Sequence, residues 1–485
     1  MEKKKKLFII GLVLISIFFV LLPRISHFWL SEEPNSFFYS YPLHTDEWQH
    51  YTVSLSLKDK FFQPKVFYYQ NQERIVDGSP LFHELIFISQ KLGVSPDKFF
   101  ILPVLQGIFF ILIFFFFLSL ISNPLVGFIA SLFVLCVRSD IRILGLLFFK
   151  PFVLGFAFFI LALFFLHKKR KFSFAFLLSS LFAVFCYPPL IILLLIYLVV
   201  YQLTNKKIDK KYLIWSGVLI LLTLIFGFFI TKGDFSLLID KIFYQDSIIG
   251  WGGVNLIKYF GSVLIVFGLI GLIKTLKKRE LWPWHALFFF FVLNFILTLI
   301  TKCSFGFHYM RIIYLGGIIF SFYAAQGVIL IFNWLKKRIK QKAIWLLLLL
   351  LVITLIRPFN FYAFSHSSAN PAVHANWLNK DNFNALMFLN NLPDKSKKLL
   401  HSPRIGTVIT PLTGFKVTAL QTALTGGKRN EHYEIITSGF DCEEIKKIIE
   451  EKNYNLLWLK KQVECEFLKS VFENKSVFIY EYQDF

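Results

Sequence analysis

The chain has 485 residues, of which 56% are hydrophobic and 62 are Phe, while only 17% are charged; its mean hydropathy is +0.60. A soluble domain carries about 25% charged residues, so this composition excludes a soluble globular enzyme. The 52 Lys+Arg against 30 Asp+Glu give a net charge of +22, which in a soluble protein points to nucleic acid, but the basic residues are spaced as membrane topology requires.

Apolar runs long enough to approach the roughly 30 Å of a bilayer core at about 20 residues per helix fall near 7–22, 99–121, 124–137, 151–166, 172–186, 188–203, 212–230, 259–273, 282–300, 312–333 and 343–357. They predict a polytopic α-helical membrane protein of about 11 transmembrane helices. The basic clusters at 3–6, 168–171, 206–211, 274–279 and 336–342 stand before the first crossing and after the fourth, sixth, eighth and tenth, all on one side, and hold about 21 Lys+Arg, against about 8 in the short loops on the other side. The positive-inside rule therefore places them all in the cytoplasm. The first run has four lysines before it and no small-residue cleavage site before Pro23, so it reads as a retained anchor. An odd number of crossings then leaves the C-terminus outside.

This organisation predicts a transmembrane domain over 1–357 with one long extracytoplasmic loop at 23–98, and a C-terminal extracytoplasmic domain over 358–485. Everything cytoplasmic is a short basic turn, too small for a nucleotide site. The tail reads as a small α/β domain: a helix near 382–391 closed by Leu392-Pro393-Asp394, strands at 398–402 and 416–420, a helix at 442–452 with Ile445, Ile448 and Ile449 on one face, and strands at 454–459 and 476–482. Cys442 and Cys465 share this domain, and an oxidising compartment would permit a disulfide between them; their spacing leaves the pairing open. Cys136, Cys186 and Cys303 lie in or at the ends of apolar runs. Asn474-Lys475-Ser476 matches a glycosylation sequon, a pattern short enough to arise by chance.

The most polar cluster in this Phe-rich chain is His44-Thr45-Asp46-Glu47-Trp48-Gln49-His50-Tyr51, soon after the first crossing. Asp46 with Gln49 three residues on reads as a capping box that satisfies the first N–H groups of a helix. A cap needs one carboxylate, however, and here two adjacent acids stand among histidines and aromatics. His44, Asp46, Glu47 and His50 also offer ligands to a divalent cation, although their spacing matches no standard metal motif.

The order of several short motifs resembles the GT-C superfamily of membrane glycosyltransferases, whose members include the protein O-mannosyltransferases and the lipid A aminoarabinose transferase. The motifs are the Asp46-Glu47 pair after the first crossing, Gly78-Ser79-Pro80-Leu81-Phe82-His83 leading an amphipathic helix, Tyr187-Pro188-Pro189-Leu190 at a helix junction, Tyr309-Met310-Arg311 before a late crossing, and Leu412-Thr413-Gly414-Phe415-Lys416-Val417 in the tail. The resemblance covers the whole architecture. It departs from the oligosaccharyltransferases, whose tail carries Trp-Trp-Asp; Gly250-Trp251-Gly252-Gly253 lacks the acid and lies in a loop of the membrane domain, which argues against en bloc transfer of an oligosaccharide.

The resemblance implies inverting transfer of a sugar from a polyprenyl-phosphate donor to an acceptor hydroxyl on a glycan, lipid or protein at the outer membrane face. The phosphate leaves as a stable anion, so such a site needs a base for the acceptor and cations for the phosphate. By resemblance Asp46 is the base, and Glu47 positions the acceptor or shares its proton. Arg311, Arg138 and Arg142 are candidate phosphate clamps, because a guanidinium grips phosphate through two parallel hydrogen bonds; Lys150 and Lys302 stand behind them. For each of these the plain alternative is anchoring at the membrane interface. His44, Trp48, His50, His83 and Tyr309 are the expected substrate-lining residues. No cofactor is required by this chemistry; a divalent cation on Asp46, Glu47 and Asp140 is the alternative, with Asp140 otherwise a salt-bridge partner for Arg138 and Arg142. A transporter or lipid flippase would place ionisable groups inside its crossings and often repeat its halves; this sequence places almost none inside its crossings and shows no repeat. A non-catalytic envelope assembly protein is the third reading. The expected partners are the lipid-linked sugar, membrane lipids and the acceptor, with no nucleic acid.

Overall fold

The computed structural model describes residues 2–30, 40–55, 57, 65–69, 72–75, 79–139, 145–169, 173–205, 210–230, 243–245, 256–364, 378, 380–417 and 441–483. They form two compact units, one of Met1–Ser26, Gly78–Phe82 and Ile101–Ala372, the other of His27–Asp77, His83–Phe100 and Val373–Phe485.

In chain order the helices are α1 (Glu2–Leu30), α2 (Thr45–Leu55), α3 (Pro80–Lys91), α4 (Ile101–Ile121), α5 (Pro124–Cys136), α6 (Pro151–Lys169), α7 (Phe174–Cys186), α8 (Leu190–Asn205) and α9 (Lys210–Ile230). They continue as α10 (Leu256–Phe260), α11 (Ser262–Thr275), α12 (Trp282–Thr301), α13 (Tyr309–Ile339), α14 (Lys342–Phe364), α15 (Lys380–Asn391), α16 (Pro403–Thr413) and α17 (Cys442–Lys452). Each of the eleven predicted apolar runs is a helix. Among the described residues six are both long and apolar enough to cross a membrane, whereas α5, α7, α8 and α11 span only 13–16 residues. At 1.5 Å per residue these reach about 20–24 Å. Between α5 and α6 the buried non-helical segment 145–150 is held by protein groups: Gly145 N–H donates to Ser139 Oγ at 2.9 Å and Leu146 N–H to the Tyr314 hydroxyl at 2.7 Å, while Gln106 Nε2 donates to Phe148 O at 2.8 Å. Buried irregular backbone needs such partners.

The ends of the first unit are sharply set. Asn123 and Ser173 cap α5 and α7 through their side-chain oxygens, and the last turn of α13 carries Lys336, Lys337 and Arg338, where the helix dipole favours positive charge. Close approach between α11 and α13 depends on missing side chains: a Cβ on Gly271 would strike the carbonyl of Tyr323, and one on Gly327 the carbonyl of Phe267. Small residues let membrane helices touch backbone to backbone. A two-stranded pairing of β3 (Phe243–Gln245) with β4 (Cys303–Phe305) closes this unit's sheet structure.

In the second unit α2, the hairpin of β1 (Lys65–Tyr69) with β2 (Gln72–Ile75), and α3 from His83 onward belong with the tail. The tail builds a four-stranded sheet from β5 (Leu399–Leu400), β6 (Leu456–Leu459), β7 (Leu468–Glu473) and β8 (Phe478–Tyr482), in the order β5-β6-β8-β7, with only the β5–β6 pair parallel. All four residues of β6 are buried, as a strand covered on both faces requires. Leu456 and Trp458 join a core with Leu386 and Leu389 of α15 and Ile405 and Ile409 of α16; Leu457 and Leu459 join one with Ile445, Ile448 and Ile449 of α17. A disulfide links Cys442 at the start of α17 to Cys465, at a Cα–Cα distance of 5.7 Å; closing a loop of this length stabilises by roughly 3 kcal/mol.

The predicted helices at 382–391 and 442–452 and strands at 454–459 and 476–482 are present, while of the strand predicted at 398–402 only Leu399 and Leu400 pair. Two elements were not expected, α16 and β7. Of the strand expected at 416–420 only Val417 makes a bridge, and 418–420 lie outside the described residues. The sequon forms the turn between β7 and β8: Asn474 Oδ1 accepts from the N–H groups of Ser476 and Val477, and its Nδ2 donates to Asp381 O at 2.9 Å.

His401 is fully buried beside β5 and donates from Nδ1 to Ser402 O at 2.8 Å. Burial pushes its pKa down from 6.5 to about 4, against a smaller opposite pull from that hydrogen bond. The unfolded chain therefore binds a proton below about pH 6.5 that the folded domain refuses until about pH 4, so stability is complete above the first value and falls as the pH drops toward the second. The loss should approach about 3 kcal/mol. Thermal unfolding of the detergent-solubilised protein between pH 7 and 4 checks this, and His401→Gln should flatten that dependence.

Candidate functional site

In the second unit, the polar cluster folds as the first turns of α2. His44 is the residue before the helix, and its Nδ1 accepts from Asp46 N–H at 3.1 Å. Glu47, at the third helical position, reaches back so that Oε2 accepts from Leu43 N–H at 2.8 Å and His44 N–H at 3.2 Å. This is the reciprocal pattern of a capping box, made by His44 and Glu47. The expected box of Asp46 and Gln49 is thereby corrected: Asp46 sits inside the helix, where its side chain is not the cap. The two acids consequently differ. Glu47 is 0% exposed and committed to the helix start, whereas the Asp46 side chain is 40% exposed. Asp46 Oδ1 also lies 3.6 Å from His44 Nδ1, the nitrogen that faces Asp46's own N–H.

Trp48 points the other way on α2. It is 3% exposed and packs in the core with Leu386, Ile405 and Ile409, its ring 6.2 Å from that of Tyr41, so it fastens the helix that carries the acids. His50, one turn beyond Asp46, meets His83 of α3 with Nδ1 and Nε2 2.9 Å apart. Gln90 of α3 adds bonds from Nε2 to Tyr51 O at 3.1 Å and to Ser54 Oγ at 2.6 Å. Tyr51, whose hydroxyl is pushed up to about 12 by burial and then by the Asp97 carboxylate, stays protonated at any physiological pH.

In the first unit, the described candidate cations stand at or beside helix ends. Arg311, in the first turn of α13, donates from Nη1 to the Tyr187 hydroxyl at 2.8 Å, with its guanidinium carbon 5.1 Å from the Tyr187 ring and 5.4 Å from that of Phe152. His308 caps this helix and Tyr309 is buried beside it. One turn further, Tyr314 holds the 145–150 segment, which ends in Lys150, 2% exposed, with its N–H on Gln106 Oε1 at 3.2 Å. Arg138 lies 5.8 Å over the Tyr259 ring. Lys302 is exposed, in the left-handed turn that ends α12. Arg142 and Asp140 lie outside the described residues.

The sequence reading missed Arg24, a guanidinium with 0% exposure just past Pro23 in α1; its only signal was one arginine closing the first apolar run. It also missed Tyr187, Tyr314 and Gln106 as the residues that orient Arg311 and the 145–150 segment, since the partners are more than 40 residues apart. Among the described residues no group of three His, Cys, Asp or Glu is arranged to hold a metal ion.

No protein-family model matches this chain, and no curated protein matches it. Several solved structures do. The Archaeoglobus fulgidus oligosaccharyltransferase tethered to an acceptor peptide superposes with a TM-score of 0.60 at 13% identity, over 95% of this chain and 70% of that one. The archaeal oligosaccharyltransferase AglB from the same organism, in complex with an inhibitory peptide and a dolichol-phosphate, gives 0.58 at 14%, over 94% and 69%. ArnT from Cupriavidus metallidurans bound to undecaprenyl phosphate gives 0.58 at 9%, over 98% and 97%. The chain thus has the fold expected from its motif order, that of the GT-C membrane glycosyltransferases.

Proposed function

We propose that this GT-C-fold chain is an inverting glycosyltransferase that moves a sugar from a polyprenyl-phosphate donor to an acceptor hydroxyl, with Asp46 as general base. The fold supports the reaction class, because its solved neighbours hold dolichol-phosphate and undecaprenyl phosphate. The observation that carries the assignment is the division of labour in the acidic pair: Glu47 is buried in fixing the helix start, and Asp46 is left half-exposed beside it. A base must reach an acceptor proton within hydrogen-bonding distance, which Asp46 is exposed to do. Glu47 and His44 hold the turn that aims it.

Arg311 is the principal phosphate clamp in this reading. Its two flanking rings fix the guanidinium plane, and a planar fork presents paired donors to phosphate oxygens. Lys150 and Arg138 are the further candidate cations for the phosphate, and charge placed in advance stabilises a departing phosphate without reorganisation. No general acid is needed at a phosphate leaving group. Because an acceptor attacks opposite the departing phosphate in one step, a donor of defined anomeric configuration should give a product of the opposite configuration, read by NMR coupling constants; retention would contradict a single displacement.

We further propose that the N-terminus is cytoplasmic and that both Asp46 and the tail domain face the extracytoplasmic side, across a boundary near residue 357. The basic clusters support this orientation, and the Cys442–Cys465 disulfide suits an oxidising compartment. In intact cells expressing a variant without the other thiols, Lys469→Cys should react with a membrane-impermeant maleimide and Lys337→Cys should not. The reverse pattern would sink the orientation.

A further inference from the structure

We propose that a cleft in the tail domain binds an anionic sugar residue of the acceptor and so holds the acceptor on the unit that carries Asp46; the acceptor role rests on the assignment of the chain as a glycosyltransferase. The cleft, of about 390 Å³, opens beside the last turn of α15, over the row in which Leu456 of β6, Glu481 of β8 and Lys469 of β7 lie side by side. Small-molecule sites begin at about 300 Å³. Phe388 and Leu392, in and just past the last turn of α15, complete its apolar wall together with Val471. Val471 is there because β7 bulges: the pairing passes from Ser470–Tyr480 to Phe472–Ile479, and Val471 and Phe472 both pack on the α15 side. Lys397 also lines the cleft and donates to Glu481, the two side chains being 32% and 33% exposed. Two lysines thus accompany one carboxylate, and the lining carries one net positive charge.

An apolar wall beside charges of both signs restricts the ligand. A hydrocarbon chain would take water from Glu481 and the lysines without replacing its hydrogen bonds. A pyranose presents C–H groups on its faces to Phe388 and Leu392, and hydroxyls around its rim that donate to the Glu481 carboxylate. An acidic group on the ring answers the surplus positive charge, and Lys469 is its partner because Lys397 is committed to Glu481. Addition of a peptide strand along β7 is disfavoured, since a bulge and a lysine blunt that edge. The cleft is built into the unit of the proposed base: Phe388, Leu392, Leu456 and Val471 share one hydrophobic core with Trp48 of α2, two residues after Asp46. An acceptor glycan held in the cleft is tethered to that unit, which raises its effective concentration at the base when its chain spans the interval.

Methyl glucuronide, methyl glucoside and hexanoate are the probes, titrated against the full-length protein in detergent by saturation-transfer NMR. The glucuronide should bind saturably and the neutral glucoside about tenfold or more weakly, the difference made by a hydrogen bond to a charged group. Lys469→Glu should weaken the glucuronide by at least as much and leave the glucoside unchanged. Lys469→Met, which keeps the apolar stem, should bring the two sugars to equal affinity. Lys475→Glu, on the exposed turn after β7, alters the net charge as much as Lys469→Glu and should change neither sugar. No saturable binding of the glucuronide, hexanoate binding as tightly as the glucuronide, or unchanged glucuronide binding in the Lys469 variants overturns the site. In turnover, measured as release of polyprenyl phosphate with an envelope extract as acceptor, Lys469→Glu should raise the extract concentration for half-maximal rate about tenfold, with kcat and the donor KM unchanged, the mark of lost binding and not of lost chemistry. An unchanged requirement for extract overturns the acceptor role. Asp46→Asn should bind the glucuronide as the wild type does, so normal turnover in that variant counts against the proposed function while glucuronide binding still decides the cleft.

Discussion

Asp46→Asn is expected to lower turnover about a hundredfold or more, the usual contribution of a general base, while the protein still inserts and still binds its lipid donor. The substitution separates chemistry from folding because the first turn of α2 is capped by His44 and Glu47. The cap bonds are accepted by His44 Nδ1 and Glu47 Oε2, and Asn is nearly isosteric with Asp. A loss of turnover therefore reports the missing proton acceptor. Glu47→Gln should be milder in turnover, since one amide oxygen can still accept from Leu43 and His44 N–H, but it should cost stability: hydrogen bonds to charged groups contribute about 1.5–3 kcal/mol. The pair should thus split, with the rate effect on one residue and the stability effect on its neighbour. Kinetics with a labelled donor, together with thermal unfolding of both variants, measure this split.

Arg311→Ala is expected to remove about 2–4 kcal/mol of transition-state stabilisation, roughly 30- to 1000-fold in rate. Arg311→Lys should fall between it and the wild type, because an ammonium keeps the charge but neither grips two oxygens nor stacks between the rings of Tyr187 and Phe152. The loss should appear mainly in kcat if the guanidinium holds the phosphate more tightly as it departs. Wild-type kinetics in the Ala variant would make Arg311 an interfacial anchor. Tyr187→Phe is a useful companion: it leaves the ring and deletes the hydroxyl that accepts from Nη1, so it should weaken the orientation of Arg311 by less than its removal.

The helices of the first unit were legible in the sequence because hydropathy over a long window depends on composition and not on partners. Where each helix stops was less so. Val137 turns extended and ends α5 within one residue of the predicted run, but nothing in the sequence showed that the chain then relies on the Tyr314, Gln106 and Ser139 contacts to bury its polar backbone. In the tail, α16 was unreadable because Pro403–Thr413 contains Gly406, Pro411 and several β-branched residues, all poor helix formers by propensity; packing of Ile405, Val408 and Ile409 into the core overrides them. The sequence did point to the acidic pair but misassigned its parts, since histidine is an uncommon cap and Gln49 stood at the familiar spacing. Contacts such as Arg311 with Tyr187, 124 residues apart, and His50 with His83, 33 apart, come only from the tertiary fold.

The most direct measurement uses the purified protein in liposomes holding a pool of polyprenyl-phosphate sugars labelled in the polyprenyl chain, with an envelope extract as the source of acceptor. The wild type should release free polyprenyl phosphate, and Asp46→Asn should release it about a hundredfold more slowly while being stabilised by the lipid to the same degree. Equal release by the wild type, Asp46→Asn and Glu47→Gln would contradict the mechanism, and no release by any of them from any glycolipid in the pool would contradict the activity.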